Sequence, residues 1–115
     1  MGQSARVALV TGASEGIGQA CASRLTGAGW AVTGASRRGT SGPGWPGIVM
    51  NVDDDDAVTA AVSGVIGTHG RLDALVAAAG WGIAGAVEQT ELTEARAQFE
   101  TNFWGCVRAV QAVLP

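Results

Sequence analysis

A chain of 115 residues with a net charge of −3 can bury one modest core, and it is short for two domains. No apolar run approaches the roughly 20 residues of a membrane span, and no basic stripe is present. Membrane spanning and nucleic-acid binding by phosphate neutralisation are therefore not expected.

Arg6 to Val10 is apolar without alternation, which predicts a first strand buried on both faces. Thr11-Gly12-Ala13-Ser14-Glu15-Gly16-Ile17-Gly18 follows. A glycine-rich turn between a buried strand and a helix start is a place to bind phosphate, because the helix N-terminus offers unpaired N–H groups and about half a positive charge. Gly16 and Gly18 remove side chains where backbone must come close to a ligand or a neighbouring strand. Ile17, Cys21, Leu25 and Ala28 then fall at helical spacing, and Gly27 and Gly29 supply a stop. Trp30 to Ala35 is predicted as a second strand.

The next connection, Ser36 to Gly47, has four Gly and two Pro in twelve residues and cannot sustain a helix. An irregular crossover is predicted, mobile unless Trp45 anchors it. Ile48 to Val52 is predicted as a third strand. Asp53 to Asp56 could suggest a metal, but an N-cap with first-turn acids explains the run, so no metal site is assigned. Val58, Ala61, Val62, Val65 and Ile66 share a helix face, and His69-Gly70 marks its end. Ala74 to Ala79 is predicted as a fourth strand closed by Gly80, and Trp81 to Thr90 as a loop. Thr93 is predicted to cap one long last helix, whose inward stripe is Ala95, Phe99, Asn102, Phe103, Cys106, Val107, Val110, Val113 and Leu114.

Alternating strands and helices predict an α/β fold: a Rossmann-type half-domain, a four-stranded parallel sheet in the order 3-2-1-4 with helices on both faces. Cys21 and Cys106 read as buried small hydrophobes in a reducing compartment. Met1 to Arg6 has no signal-peptide plan, so the expected location is cytoplasmic.

The spacing Gly-x-x-x-Gly-x-Gly, with Thr11 ahead of it and Ile17 between its last two glycines, resembles the cofactor loop of the short-chain dehydrogenase/reductase family. Ala79-Gly80 resembles the end of that family's fourth-strand motif, with Ala77 and Ala78 where relatives commonly carry Asn-Asn. Asn51-Val52 sits where relatives have the Asp-Val that contacts adenine. Asn102-Phe103-Trp104-Gly105 resembles the family's Asn-x-x-Gly, whose Asn helps hold a proton-relay water. The resemblance implies a cofactor site at Thr11, Gly12, Ser14, Glu15, Gly16, Ile17, Gly18, Ser36, Arg37, Arg38, Asn51, Val52, Ala79 and Gly80. Asn102 is the one catalytic-family position. Ser36 is neutral and Arg37 carries a planar cationic fork suited to phosphate, so the implied cofactor is NADP(H) rather than NAD(H). Glu15 weighs the other way, since NADP-preferring relatives often place a basic residue there.

The family's remaining catalytic groups are a Ser and a Tyr with a Lys four positions later. This sequence has no tyrosine. Residues 1–115 are therefore read as a nucleotide-binding N-terminal half that stops before the fifth strand, with no dehydrogenase turnover of its own. The alternatives are a non-enzymatic dinucleotide-binding or assembly module, and a truncated product without independent function. The apolar, uncharged edge at 74–79 is expected to pair with its two-fold mate in a homodimer.

Overall fold

The computed structural model describes residues 5–114. The reading of Met1 to Ser4 as free of a signal plan lies outside them, as does Pro115. The elements are β1 (Val7–Thr11), α1 (Gly16–Gly27), β2 (Ala31–Ser36), β3 (Gly47–Val49), α2 (Asp55–His69), β4 (Ala74–Ala77), α3 (Leu92–Phe99), a π-helical turn (Glu100–Trp104) and α4 (Gly105–Val113). The four strands form one sheet in the order β3-β2-β1-β4, and each pairing is parallel. The predicted architecture is the observed one.

Two apolar layers cover the sheet. On one face Val7, Leu9, Ala35, Met50 and Val52 pack with Val58, Val62 and Val65 of α2 and Ala109 of α4. On the other face Ala8, Val10, Ala13 and Val32 pack with Ala22 of α1 and with Trp45. Trp45 belongs to the irregular crossover between β2 and β3 and is only 2% exposed. Gly34 in β2 is what lets it lie there, since a Cβ at Gly34 would meet the indole ring at 2.3 Å. Gly42 closes the other side, where a Cβ would also meet the ring at 2.3 Å, and it pairs with Trp45 through two backbone hydrogen bonds of 3.1 Å. One aromatic side chain thus covers the sheet beside α1, as the anchored alternative predicts.

Several boundaries and faces differ from the sequence expectation. Each of the first two strands runs one residue later. β3 ends at Val49 rather than Val52, because Asn51 Oδ1 accepts from Asp53 N–H at 3.0 Å and turns the chain. β4 ends at Ala77 rather than Ala79, because the Thr11 hydroxyl replaces the ladder and accepts from Ala78 and Ala79 N–H at 3.1 and 3.3 Å. α1 packs through Gly18 and Ala22, with Cys21 and Leu25 half-buried, while Ile17 is 78% exposed and lines a cleft instead.

The predicted last helix is two helices joined by the π turn, and its N-cap is Glu91 rather than Thr93. Its inward face is Thr101, Gly105 and Ala109, because only small residues allow the close approach: a Cβ at Gly105 would meet Val52 Cγ2 at 2.7 Å. Phe99, Phe103, Cys106, Val110 and Leu114 of the predicted stripe are exposed, and so is Asn102.

The acidic run serves as a helix cap and as a set of tertiary ties. Asp54 caps α2, its Oδ1 accepting from Asp56 and Ala57 N–H at 2.9 and 3.2 Å. Asp55 pairs with Arg108 of α4, whose guanidinium also donates to Val52 O and Glu100. α2 ends at His69, with Gly70 in the left-handed conformation at φ 76°.

Asp73 ties the start of β4 to the start of β1. Its Oδ2 accepts from Val7 N–H at 2.8 Å, and Arg71 grips the same carboxylate through Nε and Nη2. The Arg71 hydrogen bond first, and the Val7 N–H second, hold the Asp73 carboxyl below its ordinary value. A carboxylate lowered in this way contributes stability above its unfolded pKa, and the contribution disappears as pH falls through the folded one. Asp73→Asn is therefore expected to lower the melting temperature at neutral pH. The gap to the parent should close on acidification below the ordinary carboxylate range; a gap that persists unchanged in acid contradicts the assignment.

Candidate functional site

At the C-terminal end of the sheet a cleft of about 380 Å³ opens between the β1–α1 turn, the end of β2 and the loop after β4. That volume is within the roughly 300–1,000 Å³ of small-molecule sites. Gly12, Ser14, Glu15, Gly16 and Ile17 line it from the turn, and Ser36, Arg37 and Arg38 from β2 and its exit. Val52, Ala79 and Gly80 are the other predicted residues that line it.

The turn is shaped for close approach. Gly12 has φ 66°, and a Cβ there would lie 2.6 Å from Ala78 O. Gly18 lets the first turn of α1 sit on the loop; its Cβ would lie 2.1 Å from Gly12 O. Gly16 is different. It has φ 60°, and a Cβ there would meet nothing within 4 Å. The space beside Gly16 belongs to the cleft. The N-terminus of α1 has neither a side-chain cap nor an acid in its first turn, so its leading N–H groups have no side-chain partner. An anion is what satisfies such a terminus.

Four predicted residues do not line the cleft. Thr11 is 1% exposed and braces β1 to the end of β4, accepting from Ala78 and Ala79 N–H and donating to Val76 O at 3.5 Å. It fastens the two strand ends together where the Asn-Asn motif is absent. Gly18 acts through packing, and the Asn51 carbonyl is turned onto Asp53 N–H. Asn102 forms a two-point pair with the Trp81 backbone: its Oδ1 accepts from Trp81 N–H at 2.9 Å and its Nδ2 donates to Trp81 O at 2.8 Å. It sits in the π turn and holds the inner wall of the cleft, a bracing role on a helix distortion. Gly80 makes room, since a Cβ there would lie 2.8 Å from Asn102 Oδ1.

Sequence reading missed five lining residues: Ala35, Met50, Ala78, Trp81 and Thr101. Four of them adjoin a predicted site residue in the chain, and Thr101 stands next to Asn102. Thr101 reaches the cleft because the π turn packs it against Asp53 after β3, which no local pattern encodes.

A parallel 3-2-1-4 sheet with an open glycine turn at its strand ends defines the Rossmann-type nucleotide-binding half-domain. The sequence narrows this further. Residues 6–115 match the family model described as short chain dehydrogenase. The chain is 39% identical over 111 residues to a 3-ketodihydrosphingosine reductase of Bacteroides thetaiotaomicron, covering 96% of this chain and 41% of that protein. A crystal structure of a short-chain dehydrogenase from Streptomyces avermitilis superposes with a TM-score of 0.91 at 35% identity, over 99% of this chain and 45% of the other. The ligand-free aldohexose dehydrogenase of Thermoplasma acidophilum superposes with a TM-score of 0.90 at 29% identity, over 95% of this chain and 43% of the other. The chain belongs to the short-chain dehydrogenase/reductase family, whose members bind a nicotinamide dinucleotide. It spans less than half the length of these relatives. Among the described residues no helix is long and apolar enough to cross a membrane, and no group of three or more His, Cys, Asp or Glu could hold a metal.

Proposed function

We propose that this chain is the NADP(H)-binding N-terminal half of an oxidoreductase that moves hydride to or from a carbonyl or alcohol, and that alone it turns nothing over. The observation that carries the cofactor reading is Arg37 at the exit of β2, lining the same cleft as the uncapped N-terminus of α1. The diphosphate takes the α1 terminus and the space beside Gly16. The adenine lies against Met50 and Val52, and a 2′-phosphate reaches Arg37. The carbonyl-or-alcohol class rests on the similarity to a ketone reductase and a sugar dehydrogenase. The bound nicotinamide supplies the hydride. The chain has neither tyrosine nor lysine, so the family's acid/base pair has no counterpart here. Positioned acid/base groups contribute about 10²–10⁴-fold.

Calorimetric titration tests the reading. NADP(H) and 2′,5′-ADP are expected to bind more tightly than NAD(H) and 5′-AMP. Arg37→Ala should weaken 2′,5′-ADP about tenfold, as loss of a charge-assisted hydrogen bond does, and leave 5′-AMP nearly unchanged. Equal binding of the two mononucleotides by the parent protein would reject NADP preference. No binding of any nucleotide would favour the product without independent function.

The proposed location is the cytoplasm, supported by the free thiols Cys21 and Cys106. The proposed assembly is a homodimer. β4 is paired on one side only, by β1, and its sequence Ala-Leu-Val-Ala offers no charge or proline to protect the open edge. Pairing about a two-fold axis gives an eight-stranded sheet with an antiparallel centre. Sedimentation equilibrium is expected to report a dimer, and hydrogen exchange to show Ala74 to Ala77 protected. A monomer with that edge protected rejects the pairing.

A further inference from the structure

Arg37 already has a partner. Its Nη2 donates to Asp53 Oδ2 at 3.0 Å. Asp53 is the more firmly placed of the two, with a side chain 27% exposed against 62% for Arg37. The hydroxyl of Thr101 donates to its Oδ1 at 2.8 Å, and Thr101 is itself only 5% exposed. Asn51 Oδ1 takes the Asp53 N–H at 3.0 Å. An anchored carboxylate thus reaches from the exit of β3 to Arg37 at the exit of β2, beside the cleft that Arg37 and Thr101 line.

A phosphate arriving at Arg37 meets this charge. The guanidinium has five N–H donors, and Asp53 accepts from one of them, on Nη2. Sharing the arginine sets a dianion beside an anchored carboxylate, and displacing the carboxylate breaks the ion pair. Exposed pairs of this kind contribute little to stability, so the pair can yield. The like charge remains when it does, because Thr101 still holds Asp53.

We infer that Asp53 is a specificity-determining residue of the adenosine site: by pairing with Arg37 it lowers the site's preference for a 2′-phosphate over a 2′-hydroxyl. The inference rests on the NADP reading of Arg37 given above. A site built this way admits both kinds of adenosine end, with Arg37 pulling one way and Asp53 the other.

The test is a double-mutant cycle on the 115-residue chain, read by calorimetry with 2′,5′-ADP and 5′-AMP. Asp53→Asn removes the charge and keeps the Oδ1 that Thr101 bonds. Asp53→Ser, also neutral and polar, guards against a folding artefact of the first variant. Both are expected to tighten 2′,5′-ADP about three- to tenfold and to leave 5′-AMP within about twofold. The gain should vanish in the Arg37→Ala background. Unchanged or weaker 2′,5′-ADP binding in both Asp53 variants overturns the inference, as does an equal gain for 5′-AMP or a gain that survives without Arg37. If Arg37→Ala weakens 2′,5′-ADP but the Asp53 variants do not tighten it, this inference alone fails. If Arg37→Ala has no effect in either background, the NADP reading fails and takes the inference with it.

Discussion

Replacing Trp45 with alanine is expected to cost about 3–5 kcal/mol of folding stability, the range for deleting a buried aromatic side chain. Against a total of roughly 5–15 kcal/mol, that is enough to leave the chain marginal, with a melting temperature lower by roughly 10–20 °C. The reason is geometric. Trp45 lies between Gly34 and Gly42, and neither glycine has a side chain that could move into the space. Trp45→Phe should cost much less than alanine. The indole Nε1 is buried and has no hydrogen-bond partner among the described residues, so phenylalanine loses contact area and no hydrogen bond to them. Urea unfolding of the three proteins measures both differences. Equal losses for alanine and phenylalanine would contradict this account of the packing.

Gly16→Ala is expected to spare the fold and remove nucleotide binding, whereas Gly18→Ala should do the reverse in order of severity. A Cβ at Gly16 meets nothing, so the cost to folding is the left-handed backbone alone, about 1–2 kcal/mol. The new methyl group projects into the cleft where the diphosphate is proposed to lie, and affinity for NADP(H) should fall at least tenfold, equivalent to about 1.4 kcal/mol or more. A Cβ at Gly18 would sit 2.1 Å from Gly12 O, so that substitution must push the loop off the helix. Thermal melts set beside calorimetric titrations separate the two. Wild-type affinity in Gly16→Ala would show that the diphosphate does not lie where the loop geometry directs it.

The sheet order was readable because it follows from composition and handedness: apolar strands, helical spacings, and crossovers of one hand. The shape of the glycine turn was readable because its glycines are close in sequence and each answers a local demand. Element ends were read less well. Thr11 cuts β4 short from the opposite side of the sheet, and no pattern within residues 74–79 reports that. The inward faces of α1 and of the segment from α3 to α4 were misjudged in part, because large apolar residues such as Ile17, Phe99 and Phe103 were assigned inward. Close packing instead selected Gly18, Ala22, Gly105 and Ala109 and turned Phe99 and Phe103 outward. The finer chemistry of the site was invisible for a related reason. Arg37 meets Asp53 across 16 residues and Asn102 meets Trp81 across 21, and which polar groups pair is decided by how the elements cross.

The clasp between Val7 and Asp73 spans 66 residues and bears on the order in which the protein assembles. β1 is the centre of the sheet, yet one of its two neighbours arrives only with β4. During synthesis the β1–α1–β2 unit and its Trp45 cover can form early, while the other side of β1 stays bare until the chain has passed Ala77. Parallel pairings of such long range form slowly, because loop closure precedes any reward. For that interval the central strand is itself an open apolar edge, exposed to other nascent chains, and the exposure ends when β4 pairs with it and Asp73 fastens its first residue.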